Sequence, residues 1–134
     1  MISYTTLTDA QEAKVAPWTN TVAELGNLHV VVFRDAYPVT QDHLLFVPRF
    51  NTDVSIMEAM NLALSTGRNW VENNRCDGFN IGLNQGQAAG QTVMYPHVHL
   101  IPRRHGDCAD PTGGVRGVIS SQQNYKTAGY QNPN

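Results

Sequence analysis

The sequence predicts an α+β domain: an antiparallel five-stranded sheet with one main helix and a short helix near the N-terminus. Three observations predict it. Short runs rich in Val, Phe and Leu recur at hairpin-length spacing, which suits antiparallel strands. One segment, residues 53–73, changes to a helical period. The chain has 134 residues, 41% of them hydrophobic, enough for a single modest core and too few for two. One domain is therefore expected over residues 1–134, with an irregular tail from about residue 105.

The elements follow in order. Asp9 to Val15 holds helix formers, with Asp9 as a candidate cap, Glu12 as its partner and Pro17 as the stop. Trp18–Leu25 and Leu28–Phe33 flank a Gly26-Asn27 turn and read as a β-hairpin. His43–Val47 is a third strand, stopped by Pro48. In the helical segment Met57, Met60, Leu64 and Val71 form one stripe, Thr52 or Asp53 is the cap, and Asn73-Asn74 the stop. Gly67 is a potential interruption, since glycine costs up to about 1 kcal/mol against alanine in a helix. Phe79–Asn84 alternates as a fourth strand, Gln85–Thr92 is a tight loop, and Val93–Pro102 is a fifth strand.

Composition removes several functions. Nine bases against eleven acids give a formal charge of −2, which offers no broad basic field for nucleic acid. The longest apolar run, Val30–Phe33, falls far short of the roughly 20 residues a bilayer requires. The start, Met1-Ile2-Ser3-Tyr4, lacks the charged and apolar blocks of a secretory leader, so a cytoplasmic location with no membrane partner is expected. Two cysteines, Cys76 and Cys108, do not make a disulfide framework, and both read as inert.

The chemistry concentrates in Tyr95-Pro96-His97-Val98-His99-Leu100-Ile101-Pro102. Alternation along a strand places Tyr95, His97, His99 and Ile101 on one face and Val98 and Leu100 on the other. Two neighbouring imidazoles can grip one small anionic group. Alone, such a pair is more often an ordinary surface or cross-strand pair. No residue set falls at tight zinc spacing, so no metal site is expected. The preceding Asn84–Thr92 loop has glycines that admit a ligand close to backbone and N–H groups that can form an anion nest. It reads equally well as a plain connector.

Gly90-Gln91-Thr92-Val93-Met94-Tyr95-Pro96-His97-Val98-His99-Leu100-Ile101-Pro102-Arg103 closely resembles the signature of the histidine triad (HIT) family, Gly-Gln-Ser/Thr-Val-x-His-x-His-x-His. A second block, Phe33 to Pro48, resembles that family's upstream motif, with Asp35, Pro38, His43 and a final Val47-Pro48 in place. The tail from Gly106 to Ile119 is similar to bacterial and phage members grouped with dinucleoside polyphosphate (Ap4A) hydrolases. The resemblance spans about residues 20–120. It departs at one place, where Tyr95 stands for the first triad histidine.

The resemblance implies a HIT-like fold, a homodimer, no cofactor, and hydrolysis next to a nucleoside monophosphate, with an adenine nucleotide as substrate. It assigns His97 as nucleophile and His99 as the donor that stabilises phosphoryl charge. Thr92 would contact the leaving-group side, the backbone around Gln91 and Gly90 would face the phosphate, and Asn84 and His43 would line the site beside it. Asp35 would accept the ribose hydroxyls and Phe33 would flank the base. The residues alone leave alternatives open: Phe33 as core, Asp35 as a turn cap, His43 as a strand-start residue bonded to backbone. His29 reads as a structural strand residue and His105 as solvent-exposed. The first triad position acts in this family largely through its carbonyl, so Tyr95 is compatible with turnover. The alternative is a weakly active nucleotide-binding or sensing protein.

Overall fold

The computed structural model describes residues 3–134; Met1 and Ile2, part of the stretch read for a leader, lie outside them. The chain forms two compact units, which divide after Arg103.

The first unit carries α1 (Leu7–Glu12), β1 (Val30–Arg34), β2 (Leu44–Pro48), α2 (Asp53–Glu72), β3 (Gly78–Leu83) and β4 (Val98–Arg103). The strands form one four-stranded antiparallel sheet in the order β1-β2-β4-β3. Four strands replace the five expected. The hairpin partner at 18–25 contributes only a bridge, Thr21 to Phe33, before the chain turns with Leu25 N–H donating to the Val22 carbonyl. Asn27 caps the following turn, its side-chain oxygen accepting from the amides of His29 and Val30. His29 is thus an exposed residue ahead of β1, not a strand residue. The last strand also starts late: the stretch 93–97 is irregular and pairing begins at Val98.

Alternation gives the sheet two different faces. Val30, Val32, Leu44, Phe46, Val98 and Leu100 point to α2 and form the main core with Ala59, Ala63 and Trp70. Phe33, Leu45, Val47 and Tyr95 point the other way, where α1 supplies Leu7 and Ala10. Thr6 caps α1 by accepting from the Asp9 amide, so Asp9 is not the cap, and the helix ends at Glu12 ahead of Lys14, whose φ is +63°.

Helix α2 has its expected limits, with Thr52 accepting from the Ser55 amide. Its buried face is not the expected methionine stripe. Ser55, Ala59, Ala63, Thr66, Gly67 and Trp70 face inward, while Met57 and Val54 are mostly exposed. Small residues let the helix lie close to the sheet. Gly67 does not interrupt the helix; a Cβ there would sit 2.8 Å from the Phe79 ring.

The second unit, Arg104–Asn134, holds two short 3-10 turns, Gly114–Val118 and Ser120–Gln122. Arg116 organises it, donating to the carbonyls of Gln122 and Gln123 and lying over the rings of Tyr125 and Tyr130. His105 and Cys108 are exposed, while Cys76 is buried in the first unit. Among the described residues, no helix is long and apolar enough to cross a membrane.

Candidate active site

The site lies on the sheet face opposite α2. Antiparallel register sets His99 between Leu45 of β2 and Gly82 of β3. Gly82 carries no side chain, and a Cβ built there would meet nothing within 4 Å, so the sheet beside His99 is open. His97 sits on the irregular turn just before β4, nine-tenths buried.

Each ring is held by a different kind of partner. The Nδ1–H of His97 donates to the Tyr95 carbonyl at 2.7 Å. A proton fixed on Nδ1 leaves the Nε2 lone pair bare. Trp18 packs against the His97 ring, centroids 4.8 Å apart. His99 meets His43 instead, with Nδ1 of His99 2.9 Å from Nε2 of His43. The rings of His97 and His99 are 5.2 Å apart and edge-on.

Tyr95 explains how the chain tolerates a departure from the triad pattern. Its ring is fully buried among Phe33, Leu45 and Val47. Its hydroxyl donates to the Pro48 carbonyl at 2.7 Å, and burial pushes its pKa up to about 12, so it stays a donor. The side chain is thus an anchor to β2, while the main-chain carbonyl faces His97.

Burial lowers the pKa of all three histidines, against the opposing pull of Asp35. For His99, burial and the neighbouring His97 and His43 bring it to about 4. The cluster is neutral at pH 7, as an imidazole nucleophile requires.

Asp35 joins this group. One oxygen accepts from the Tyr37 amide at 2.8 Å, the turn-capping arrangement; the other lies 3.5 Å from His43 Nε2 and 4.0 Å from His99 Nδ1. Asp35, His43 and His99 offer three ligand atoms within 4.8 Å of one another. The donor set nevertheless suits a cation poorly. His43 Nδ1 accepts the Val39 amide, so its proton is on Nε2, the nitrogen a metal would need bare.

The remaining expected residues divide. Gln91 is buried and its amide serves its own loop: the oxygen accepts from Gly86 N–H at 2.8 Å and the nitrogen donates to the Val93 carbonyl at 3.0 Å. It shapes the loop and does not aim its side chain outward. Gly90 has φ +87° and Gly86 φ +90°, conformations that favour glycine. Thr92 is exposed. Asn84 is half-buried, one step past the Leu83–Val98 pair toward His97. Phe33 is buried, stacks obliquely on Trp18, and lines a cleft of about 700 Å³ with Thr19, Thr21 and Arg49. Trp18 was not legible as a site residue; in sequence it reads only as the start of a strand.

The site thus sets paired histidines beside a glycine loop, on a sheet backed by one long helix. The family profile described as "HIT domain" matches residues 19–106, and the chain belongs to that family. It is 33% identical over 81 residues to adenylylsulfatase HINT3 of Arabidopsis thaliana, covering 55% of this chain and 41% of the relative. It is 35% identical over 79 residues to AP-4-A phosphorylase of Mycobacterium tuberculosis, covering 53% and 40%. The matched segment thus spans well under two thirds of these relatives. A zinc-bound histidine triad family protein from Mycobacterium smegmatis shares its fold with a TM-score of 0.58 at 29% identity, over 63% of this chain and 67% of that one.

Proposed function

We propose that the protein is a nucleotide hydrolase that cleaves a phosphoanhydride or phosphoramidate bond next to a nucleoside monophosphate, acting on dinucleoside polyphosphates or related adenine nucleotides in the cytoplasm. One observation carries the reading: His97 donates Nδ1–H to the Tyr95 carbonyl and so keeps a bare Nε2, with the His99 ring edge-on 5.2 Å away.

The step follows from those atoms. The Nε2 lone pair of His97 attacks phosphorus, an N–P bond forms, and the bond to the leaving group breaks. The leaving group departs with the bonding pair and takes a proton that enters from solvent, with Thr92 as its relay. His99 Nε2–H and the backbone amides near Gly90 and Gln91 stabilise charge on the phosphoryl oxygens. Water then attacks the same phosphorus and gives up a proton to solvent, the N–P bond breaks with its pair returning to His97 Nε2, and the nucleoside monophosphate leaves. Asn84 and His43 line the phosphate, Asp35 accepts the ribose hydroxyls, and the base lies against Phe33 in the cleft it shares with Trp18. The departure at Tyr95 does not favour a merely binding protein, because the carbonyl that orients His97 is retained.

A homodimer completes the proposal. Val54, Met57 and Met60 of α2 line an apolar groove of about 780 Å³ with Leu64 and Ile81, next to the unpaired edge of β3. Light scattering is expected to give twice the 14.8 kDa chain mass.

Incubation with a panel of dinucleoside polyphosphates and adenosine phosphoramidates is expected to release AMP, and acid-labile nucleotide trapped on His97 identifies the intermediate. No product and no nucleotide binding would remove the hydrolase and the binding reading together. Asp35→Ala is expected to weaken ribonucleotides more than their dideoxy counterparts; equal losses would make Asp35 a turn cap alone.

A further inference from the structure

We propose that His43 is a positioning residue that fixes the tautomer of His99, holding the proton on His99 Nε2 and keeping Asp35 from drawing it to Nδ1. The proposal rests on the reading above that His99 Nε2–H faces the phosphoryl oxygens.

The argument starts from a group with no choice. The Val39 backbone N–H can only donate, and it donates to His43 Nδ1 at 3.0 Å. A neutral imidazole has one proton, so that of His43 lies on Nε2. His43 Nε2 is 2.9 Å from His99 Nδ1, so His43 donates and His99 accepts. The proton of His99 is therefore on Nε2. The chain of inference runs from one main-chain amide, through two rings, to the atom presented at the site. His97 is set in the opposite sense by an acceptor, the Tyr95 carbonyl. The two neighbouring rings thus present opposite functions, a lone pair and an N–H.

Asp35 is what His43 works against. Its outer oxygen is 4.0 Å from His99 Nδ1 and 3.5 Å from His43 Nε2. A carboxylate only accepts. With His43 gone, Asp35 becomes the nearby partner of His99 Nδ1 and favours a proton there. The outward Nε2 would then be a lone pair, which repels a phosphoryl oxygen in place of donating to it. His43 is buried, so water does not readily take over its role.

The test is the ring tautomer, read by long-range nitrogen–proton NMR of the nucleotide-free protein. Wild type is expected to carry the His99 proton on Nε2, and His43→Ala to move it to Nδ1. His43→Gln keeps an amide N–H near the position of Nε2 and is expected to retain the Nε2 proton. It also guards against a fold defect in the alanine variant. Turnover should follow: kcat about 10²-fold down in His43→Ala with KM changed less, and within about tenfold of wild type in His43→Gln. An Nδ1 proton on His99 in wild type, or an Nε2 proton in His43→Ala, overturns the proposal. Because the tautomer is read without substrate, absent hydrolysis with the expected tautomers would overturn the hydrolase reading and leave this one standing.

Discussion

His97 and His99 are two residues apart, yet the turn that carries one and the strand that carries the other are built on different principles. His97 is oriented by a carbonyl two positions upstream, a contact made within one short segment. His99 is oriented by His43, 56 positions away, through a strand pairing that joins β2 to β4. The first kind of positioning survives any side chain at residue 95. The second depends on an N–H donor at residue 43, which the amide of Val39 fixes on His43 Nε2, and on the register that sets Leu45 opposite His99. A departure from the family pattern is therefore tolerable at the local contact and costly at the distant one.

The largest expected effect breaks the comparison at its chemistry. His97→Ala should lower kcat by at least about 10³-fold, the scale of removing a nucleophile. His99→Ala should lose about 10²-fold, as for one donor to a developing anion. Single-turnover rates check both. Near-normal turnover of His97→Ala would move the nucleophile elsewhere.

Acid should reveal the shared burial of the cluster. In the unfolded chain histidines titrate near about 6.5. In the folded chain burial lowers all three, His99 to about 4. Between those limits the unfolded state binds more protons, so stability falls as pH drops and is fully retained above the upper limit. Denaturant midpoints are expected to be lower at pH 4.5 than at pH 7.5, with a shallower decline in His99→Gln. Equal declines in the two proteins would remove His99 as a source of the acid sensitivity.

These contrasts also show what the amino-acid order discloses. The local pieces are legible: the limits of α2 at Thr52 and Asn73, the glycine loop, and the His97–His99 spacing that carries the family resemblance. Contacts across the chain are not. Nothing in Val39 or His43 says that one amide sets the proton on a ring 56 residues beyond. The buried face of α2 is hidden because apolarity points to the methionines, whereas close approach to the sheet selects Ala59, Ala63 and Gly67. The missing fifth strand has a similar cause, since the apolar run at 18–25 cannot show that its pairing with β1 shrinks to a single bridge around Thr21.

Gly67→Ala sharpens that point and separates fold from chemistry. The added methyl meets the Phe79 ring at 2.8 Å, so either the ring or the helix must shift. A loss of about 1–3 kcal/mol is expected by denaturant titration, with kcat per folded molecule unchanged. An unchanged midpoint would show that Phe79 yields freely.

The smallest effect on turnover is expected at Tyr95, where side chain and main chain have separate tasks. Tyr95→Phe removes the donor to the buried Pro48 carbonyl and should destabilise the fold by about 1–3 kcal/mol. The residue 95 carbonyl survives, so kcat should stay within about tenfold, or about 1.4 kcal/mol. Tyr95→His restores the first triad imidazole and separates the two tasks further. If position 95 works through its carbonyl, kcat again moves by less than about tenfold, because His97 Nδ1–H keeps the same acceptor. If a side-chain donor is what the natural protein lacks, the same substitution raises a weak activity by orders of magnitude. That result would make the natural protein a binder with suppressed turnover, and would place the decisive contact of His97 outside the short segment that now holds it.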